Sequence, residues 1–574
     1  MTAMSDDLLL SLLWFLPMAG AALVLLLPKG AGSAIKGTAL AITVATLALS
    51  VFAYTEYTKV EAPAAATLQE RAQNNILQPY EGKELTESTD VIAGRQSGVG
   101  DLLVRNAWIP IFNIQYYLGL DGISLSLVLL TGLVSVLACL ASWSIEKNIK
   151  GYFALFLVLV ACMNGVFMAL DLILFYVFFE VMLLPMYFLI AVWGGENREY
   201  AAIKFLLYTL FGSVFILVAI LILYFWPGIS GAMLNGKPFS AHSFDAVALA
   251  QAMADTKFFD GKIQQWIFLL FFVGFCVKLP SFPFHTWLPD AHVQAPTPIS
   301  MILAGVLLKI GGYGLIRLAW PLAPMGAQAW AYAVAAVGVV SILYGALAAM
   351  AQTDFKKLVA YSSVSHMGYC TLGMAAMNLS SDGRYYAYGL NGAMYMMIAH
   401  GITSTGMFFL VGVIYDRAHT RDLNKLGGLL NIMPLYGAIS FLIFFGSMGL
   451  PGLCGFWAEA FVVLASFHYS PTLAVLAAVA VILTAGYILW TIQRVFLGKK
   501  EDWKGLPDLN LRETLIAAPL VGFTILLGVA PSSLLSWMSP SVEGVVHNIA
   551  RANGPVGARA GVQTASSPPP VAPR

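Results

Sequence analysis

The sequence predicts an all-α polytopic membrane protein of about fourteen transmembrane helices. Three observations lead there. Of 574 residues, 59% are hydrophobic and 11% charged, against about 25% charged in an ordinary soluble domain, and the mean hydropathy is +0.78. Apolar stretches long enough for a crossing succeed one another along most of the chain. Two of them are interrupted by proline and glycine, a pattern tolerated at membrane depth only where protein or a water-filled cavity covers the freed backbone. With 31 Lys and Arg against 30 Asp and Glu, no basic surplus exists to neutralise phosphates, which excludes nucleic-acid binding. The composition excludes a soluble enzyme as well. Cys139, Cys162, Cys276, Cys370 and Cys454 stand singly in apolar stretches with no CxxC pair, so iron–sulfur, zinc and disulfide readings lack a pattern.

The N-terminal run carries Asp6 and Asp7 where a signal peptide would be basic, and it reads as a retained first span. At about 20 apolar residues per crossing, the spans fall near 8–27, 37–54, 120–142, 152–170, 172–193, 204–226, 266–288, 296–318, 328–350, 357–377, 388–415, 432–468, 471–497 and 513–535. The span near 266–288 holds Pro280 and Pro283, and that near 432–468 holds Gly446, Gly449, Pro451, Gly452 and Gly455; both should be discontinuous. Residues 55–119 and 227–265 are long polar loops, and the tail 538–574, ending SSPPPVAPR, reads as disordered. Most Lys and Arg near short loops, Lys147, Lys150, Arg198, Lys356, Lys357, Arg417 and Arg421 among them, fall on one side, while the other keeps only Arg317 and Arg384 near short connections. The basic side is therefore expected to be cytoplasmic, with both termini outside the cytoplasm.

Four charged residues stand well inside apolar spans: Glu180, Lys278, Lys309 and Glu459. Each costs roughly 2.5–3.5 kcal/mol at the centre of a membrane helix. Interhelical ion pairing is the rival to a transport role. A lysine at a span entrance can snorkel, which suits Lys204 but not Lys278 or Lys309. Burial and nearby opposite charge pull proton affinity in opposite directions, so a pair that breaks and re-forms switches affinity. Moving one proton against roughly 150 mV costs about 3.5 kcal/mol, which a pKa change of about 2.5 supplies. Lys278 ends the first half of one broken helix, where the helix dipole favours a cation, and Glu459 lies on the second half of the other. Interrupted helices at corresponding positions in two halves point to a repeat-built transporter core. His366 and His400 lie within spans and are expected as relays or as interhelical hydrogen-bond partners. His285 and His292 flank the first break, with access-path and loop-structural roles both open. His242, His419, His468 and His547 read as loop or edge residues. Asp121 and Asp290 are expected to cap helices, and Lys356 and Lys357 to anchor the cytoplasmic side.

The segments FFEVMLLPMYFLIAVWGGENREYAAIKFLLYTLFGS, VKLPSFPFHTWLPDAHVQAPTPISMILAGVLLKIGGYGLIR, DFKKLVAYSSVSHMGY and LPGLCGFWAEAF resemble the antiporter-like subunits of respiratory complex I, the M type in particular, over about residues 115–500. The resemblance implies two inverted five-helix repeats, each with a discontinuous helix. The chain then divides into N-terminal helices 1–142, a first repeat 143–318, a second repeat 319–500, a C-terminal helix 501–537 and the tail 538–574. It further implies Glu180 and Lys278 as an ion pair, Lys309 as the central proton carrier and Glu459 as the terminal one, with His366, His400, Lys204 and His285 as possible relays. At the position of Glu459 the L and N types are expected to carry lysine. The implied activity is proton translocation coupled to NADH oxidation and quinone reduction elsewhere. No cofactor is expected in this chain; FMN, iron–sulfur clusters, NADH and quinone belong to partner subunits, and L- and N-type subunits are expected beside it in a bacterial inner membrane. A subunit of a multisubunit cation/proton antiporter is the alternative.

Overall fold

The structure, a computed structural model, describes residues 5–58, 102–226, 233–234, 237–238, 242–256, 259–377, 383–498, 503 and 505–553. The helices in chain order are α1 (Asp6–Leu26), α2 (Gly32–Thr58), α3 (Gly122–Ala141), α4 (Ile149–Met168), α5 (Leu172–Trp193), α6 (Arg198–Phe225), α7 (Ala246–Thr256), α8 (Gly261–Lys278) and α9 (Trp287–Gln294). They continue as α10 (Thr297–Leu322), α11 (Pro324–Met350), α12 (Phe355–Ala376), α13 (Gly383–Ala418), α14 (Pro434–Ser447), α15 (Cys454–Tyr469), α16 (Pro471–Val495), α17 (Leu511–Val529) and α18 (Ser532–Asn553). Among the described residues twelve helices are long and apolar enough to cross a membrane. Helix α12 is less apolar, and α14 with α15 forms one interrupted crossing, so the set is compatible with fourteen.

Short polar residues start many of these helices by satisfying backbone N–H groups that have no partner within the helix. Asp121 accepts from Ser124 N at the head of α3, Asp171 from Ile173 and Leu174 N at the head of α5, and Asp354 from Lys356 and Lys357 N at the head of α12. Asn510 and Glu513 form a capping box on α17. Small residues let helices close on one another: a Cβ on Gly345 of α11 would lie 2.5 Å from the backbone nitrogen of Ser365 on α12. Helix α10 runs through the middle, with its apolar window wholly buried.

Both interruptions fall where the sequence expects them. Helix α8 ends at Lys278, and the chain turns through 279–286 before α9, with Trp287 Nε1 donating to Val277 O at 2.8 Å and Phe282 N to Ser341 Oγ at 2.9 Å. Between α14 and α15, Gly449 and Gly452 take positive φ, 79° and 89°, a conformation glycine adopts without a Cβ clash.

Four expectations need correction. Residues 538–553 are not disordered tail: α18 continues to Asn553 and includes His547, and its side chains Leu534, Met538, Val542, Val545 and Ile549 are buried. That spacing is a helical stripe, hidden in a region whose proline-rich end dominates its composition. Within the polar loop 55–119, an antiparallel hairpin pairs β1 (Leu102–Ile109) with β2 (Ile114–Leu120); residues 59–101 lie outside the described residues. Asp290 lies inside α9 and pairs with Lys204, so it is not an N-cap. Arg317, expected near a short connection, is buried inside α10 and pairs with Asp121 at 2.6 Å, both side chains at 0% exposure. Removing one member of such a pair leaves a buried charge uncompensated, which costs about 3–5 kcal/mol. Arg317→Met should therefore lower the unfolding temperature in detergent, and adding Asp121→Asn should restore most of the loss; a double variant less stable than the single one would refute this pairing.

Candidate functional site

Glu180 lies on α5 beside a flaw in the helix, because Pro185 offers no N–H to the carbonyl of Val181. It is half-buried, and its Oε1 has no hydrogen-bond partner. Lys278 is buried at the end of α8, its ammonium 4.9 Å from the Phe179 ring and 5.8 Å from the Phe205 ring, with no hydrogen-bond partner. Aromatic faces attract a desolvated cation. The two charges do not touch, yet the field of Glu180 bears on Lys278. Nearby, Lys204 Nζ donates to Asp290 Oδ2 at 2.7 Å, with side chains 19% and 33% exposed. His285 packs edge-on against Tyr344, ring centroids 4.8 Å apart, and neither of its ring nitrogens has a partner.

Lys309 sits mid-way along α10 between two π-helical stretches, Leu303–Leu307 and Leu315–Ala319. Such widened turns disturb the regular ladder of backbone bonds and concentrate at functional sites. Here the ammonium donates to the carbonyl of Ala304, five residues back. It also lies 2.7 Å from Nδ1 of His400 on α13, close enough for one proton to be held between two nitrogens. The His400 ring stands 5.4 Å from that of His366 on α12, centroid to centroid. His366 Nδ1 is 2.8 Å from Ser362 O, and Nε2 is 2.9 Å from Ser447 O. Carbonyls only accept, so both bonds form together when the ring carries two protons. Glu459 Oε1, otherwise unpartnered, lies 4.0 Å from that Nε2, where it would supply the opposite charge to a protonated ring when it is ionised.

The second helix break places this carboxylate. Ser447 ends α14, so its carbonyl is free for His366. A Cβ built on Gly449 would come within 2.4 Å of Glu459 Oε2. The bare backbone of that glycine therefore forms the wall against which the carboxylate packs.

The structure thus brings Lys309, His400, His366 and Glu459 into one buried line. Glu180 and Lys278 form a second group by the first break, and Lys204 with His285 lies towards its edge. Two further residues stand out in ways their sequence context does not signal. His292 is wholly buried and stacks on Phe408, centroids 4.3 Å apart and planes at 9°, with neither ring nitrogen partnered. Lys356, expected as a surface anchor, is 5% exposed and donates to Ala295 O at 2.6 Å. Being two residues after a helix cap it looks solvated in the sequence; the end of α9, packed over it, buries it. Among the described residues no cluster of three His, Cys, Asp or Glu side chains is disposed to hold a metal ion.

These features define a class: a many-span membrane protein whose core carries protonatable side chains in series between two broken helices. Residues 169–484 match the family described as NADH:quinone oxidoreductase/Mrp antiporter, and residues 101–170 match the amino terminus of NADH-ubiquinone oxidoreductase chain 4. The chain is 40% identical to NADH-quinone oxidoreductase subunit M of Rhodobacter capsulatus over 94% of its own length and 96% of that protein's. It overlays a chain of respiratory complex I from Thermus thermophilus with a TM-score of 0.76 at 28% identity, covering 94% of this chain and 99% of that one. A chain of the Mrp complex from Dietzia shares the fold, with a TM-score of 0.72 at 22% identity over 94% of this chain and 52% of that one. The chain belongs to the NADH-quinone oxidoreductase subunit M family.

The wall at Gly449 can be tested directly. Gly449→Ala combines an unfavourable positive φ with a methyl group in the space of the Glu459 carboxylate, so activity of the assembled protein should fall several-fold. Wild-type proton transport in this variant would mean that the seating of Glu459 is unimportant.

Proposed function

We propose that this chain is the proton-translocating M-type subunit of NADH:quinone oxidoreductase, driven by redox chemistry in partner subunits. The observation that carries the reading is the buried line Lys309–His400–His366–Glu459, whose contacts at 2.7 Å and 4.0 Å suit stepwise transfer of one proton. Glu180 and Lys278 act as the switch. Approach of the carboxylate holds the proton on Lys278, and separation releases it towards Lys309. Lys309 is the central carrier and Glu459 the terminal one, with His400 and His366 as relays; Lys204 and His285 serve the approach to Lys278. The protein lies in the bacterial inner membrane with both termini outside the cytoplasm. L- and N-type subunits flank it, and FMN, iron–sulfur clusters, NADH and quinone act in other subunits of the assembly.

The antiporter alternative shares the fold, and purification discriminates: flavin and iron–sulfur subunits should accompany this chain, whereas an antiporter would bring only membrane subunits. Lys309→Met should assemble yet lose most proton pumping and coupled quinone reduction; wild-type rates of both would remove Lys309 from the path.

Glutamate at 459 is neutral when protonated and lysine is positive, but either can take and release a proton. Glu459→Gln should abolish most coupled activity, Glu459→Asp should keep much of it, and Glu459→Lys should retain part. Proton pumping measured in assembled complexes decides, and full activity of the Gln variant would turn this side chain into a packing feature.

A further inference from the structure

A cleft of about 800 Å³ opens between the junction of α9 with α10, the head of α12 and the end of α13. Gln294, Asp354, Lys356, Asp416 and Arg421 are among its lining residues, a polar wall large enough to hold a cluster of waters. Lys356 is buried in this wall and does not reach outwards as a snorkelling anchor would. The hydrogen bond of its ammonium goes to the carbonyl of Ala295, the residue that caps the end of α9. Ser300 Oγ draws the same end of the helix together, lying 3.0 Å from His292 O and 3.5 Å from Ala295 O.

One turn back from Ala295 stands His292, buried and with both ring nitrogens free. Its stacking partner Phe408 is eight residues beyond His400 on α13, a rise of about 12 Å along the helix. Lys356, through Ala295 O, and His292 are thus held at the same end of α9. The other charged groups that act on Lys356 are Arg421, Asp354 and Asp416. His292 thus shares the end of α9 with the carbonyl that holds Lys356, and its stacking partner lies about two turns along α13 from His400.

We propose that this cleft is a proton-uptake mouth and that Lys356 is its transfer residue, taking protons from cleft water and passing them inwards by way of His292. The inference rests on the proton-translocating reading of the chain. In each cycle the Lys356 ammonium gives up one N–H proton, through intervening water, to a free nitrogen of His292. The neutral amine then takes a proton from hydronium in the cleft, and His292 returns to neutral by passing its proton towards Lys309 and His400. Charge and protons balance at each step, and no redox partner is needed.

The test compares Lys356→Met, Lys356→Arg and Lys356→His with Lys309→Met in assembled complex in inverted membrane vesicles. Arginine keeps the positive charge and can bond to Ala295 O, but it does not release its proton. The Met and Arg variants should each lose tenfold or more in initial pumping rate, while the His variant keeps a substantial part. Full pumping by Lys356→Arg would make Lys356 a fixed-charge anchor and overturn the proposal. Full pumping by Lys356→Met alongside loss in Lys309→Met would also overturn it, leaving the translocation reading intact. Normal pumping by Lys309→Met would bring down that reading itself. A second measurement covers failed assembly of the lysine variants: attaching a bulky, membrane-impermeant maleimide to Thr420→Cys in the cleft wall should slow pumping several-fold, and an unchanged rate with complete labelling would refute the mouth.

Discussion

The structure depends on one constraint: an ammonium held where helices exclude water must find its polar partners within the protein. Regular helices offer little, because each carbonyl is already engaged by a backbone N–H and keeps only one lone pair for a side chain. Lys309 finds one through a local flaw, the π-helical stretch that leaves Ala304 O within its reach, and a second in His400, contributed by another helix. The complete burial of α10 keeps these atoms inside the protein.

The same logic explains why titratable groups gather at irregular backbone. Lys278 stands at the end of α8, Glu180 beside the proline of α5, and His366 against the carbonyl of Ser447 where α14 stops. Each irregularity exposes dipoles that a regular helix would consume, and a dipole fixed by the fold stabilises charge without the reorganisation that water requires. Where charge must be held and not moved, the arrangement differs. Arg317 and Asp121 make direct contact at 2.6 Å and are joined by Ser124, whereas Lys278 and Glu180 are left apart with polar atoms unpartnered. Contact suits a permanent pair, and separation suits one whose proton is to be released.

Much of this is legible in the residues. Charged side chains inside apolar runs single out Glu180, Lys278, Lys309 and Glu459 as candidate sites because their burial cost demands compensation, and proline with glycine locates both breaks. The histidines are less legible, since a lone imidazole in a span reads equally as a helix–helix contact. Lys356 misleads outright, because its place in the first turn of α12 looks solvated until the end of α9 covers it. The helical stripe of α18 is present in the sequence but masked by the proline-rich composition of the chain's last residues.

The sequence by itself determined the membrane class, the positions of most helices and the identities of the principal buried charges, because hydropathy, helix breaking and charge burial are local properties that add along the chain. Tertiary structure alone decided which of those charges meet. That Lys309 touches His400, that His366 faces both Ser447 and Glu459, and that Arg317 is paired inside the core all depend on how helices distant in sequence rotate and cross. Those angles are set by small residues that let helices close on one another, such as Gly345 against α12 and Gly401 against α3 and α10, and the contacts of Gly401 lie in no single stretch of sequence.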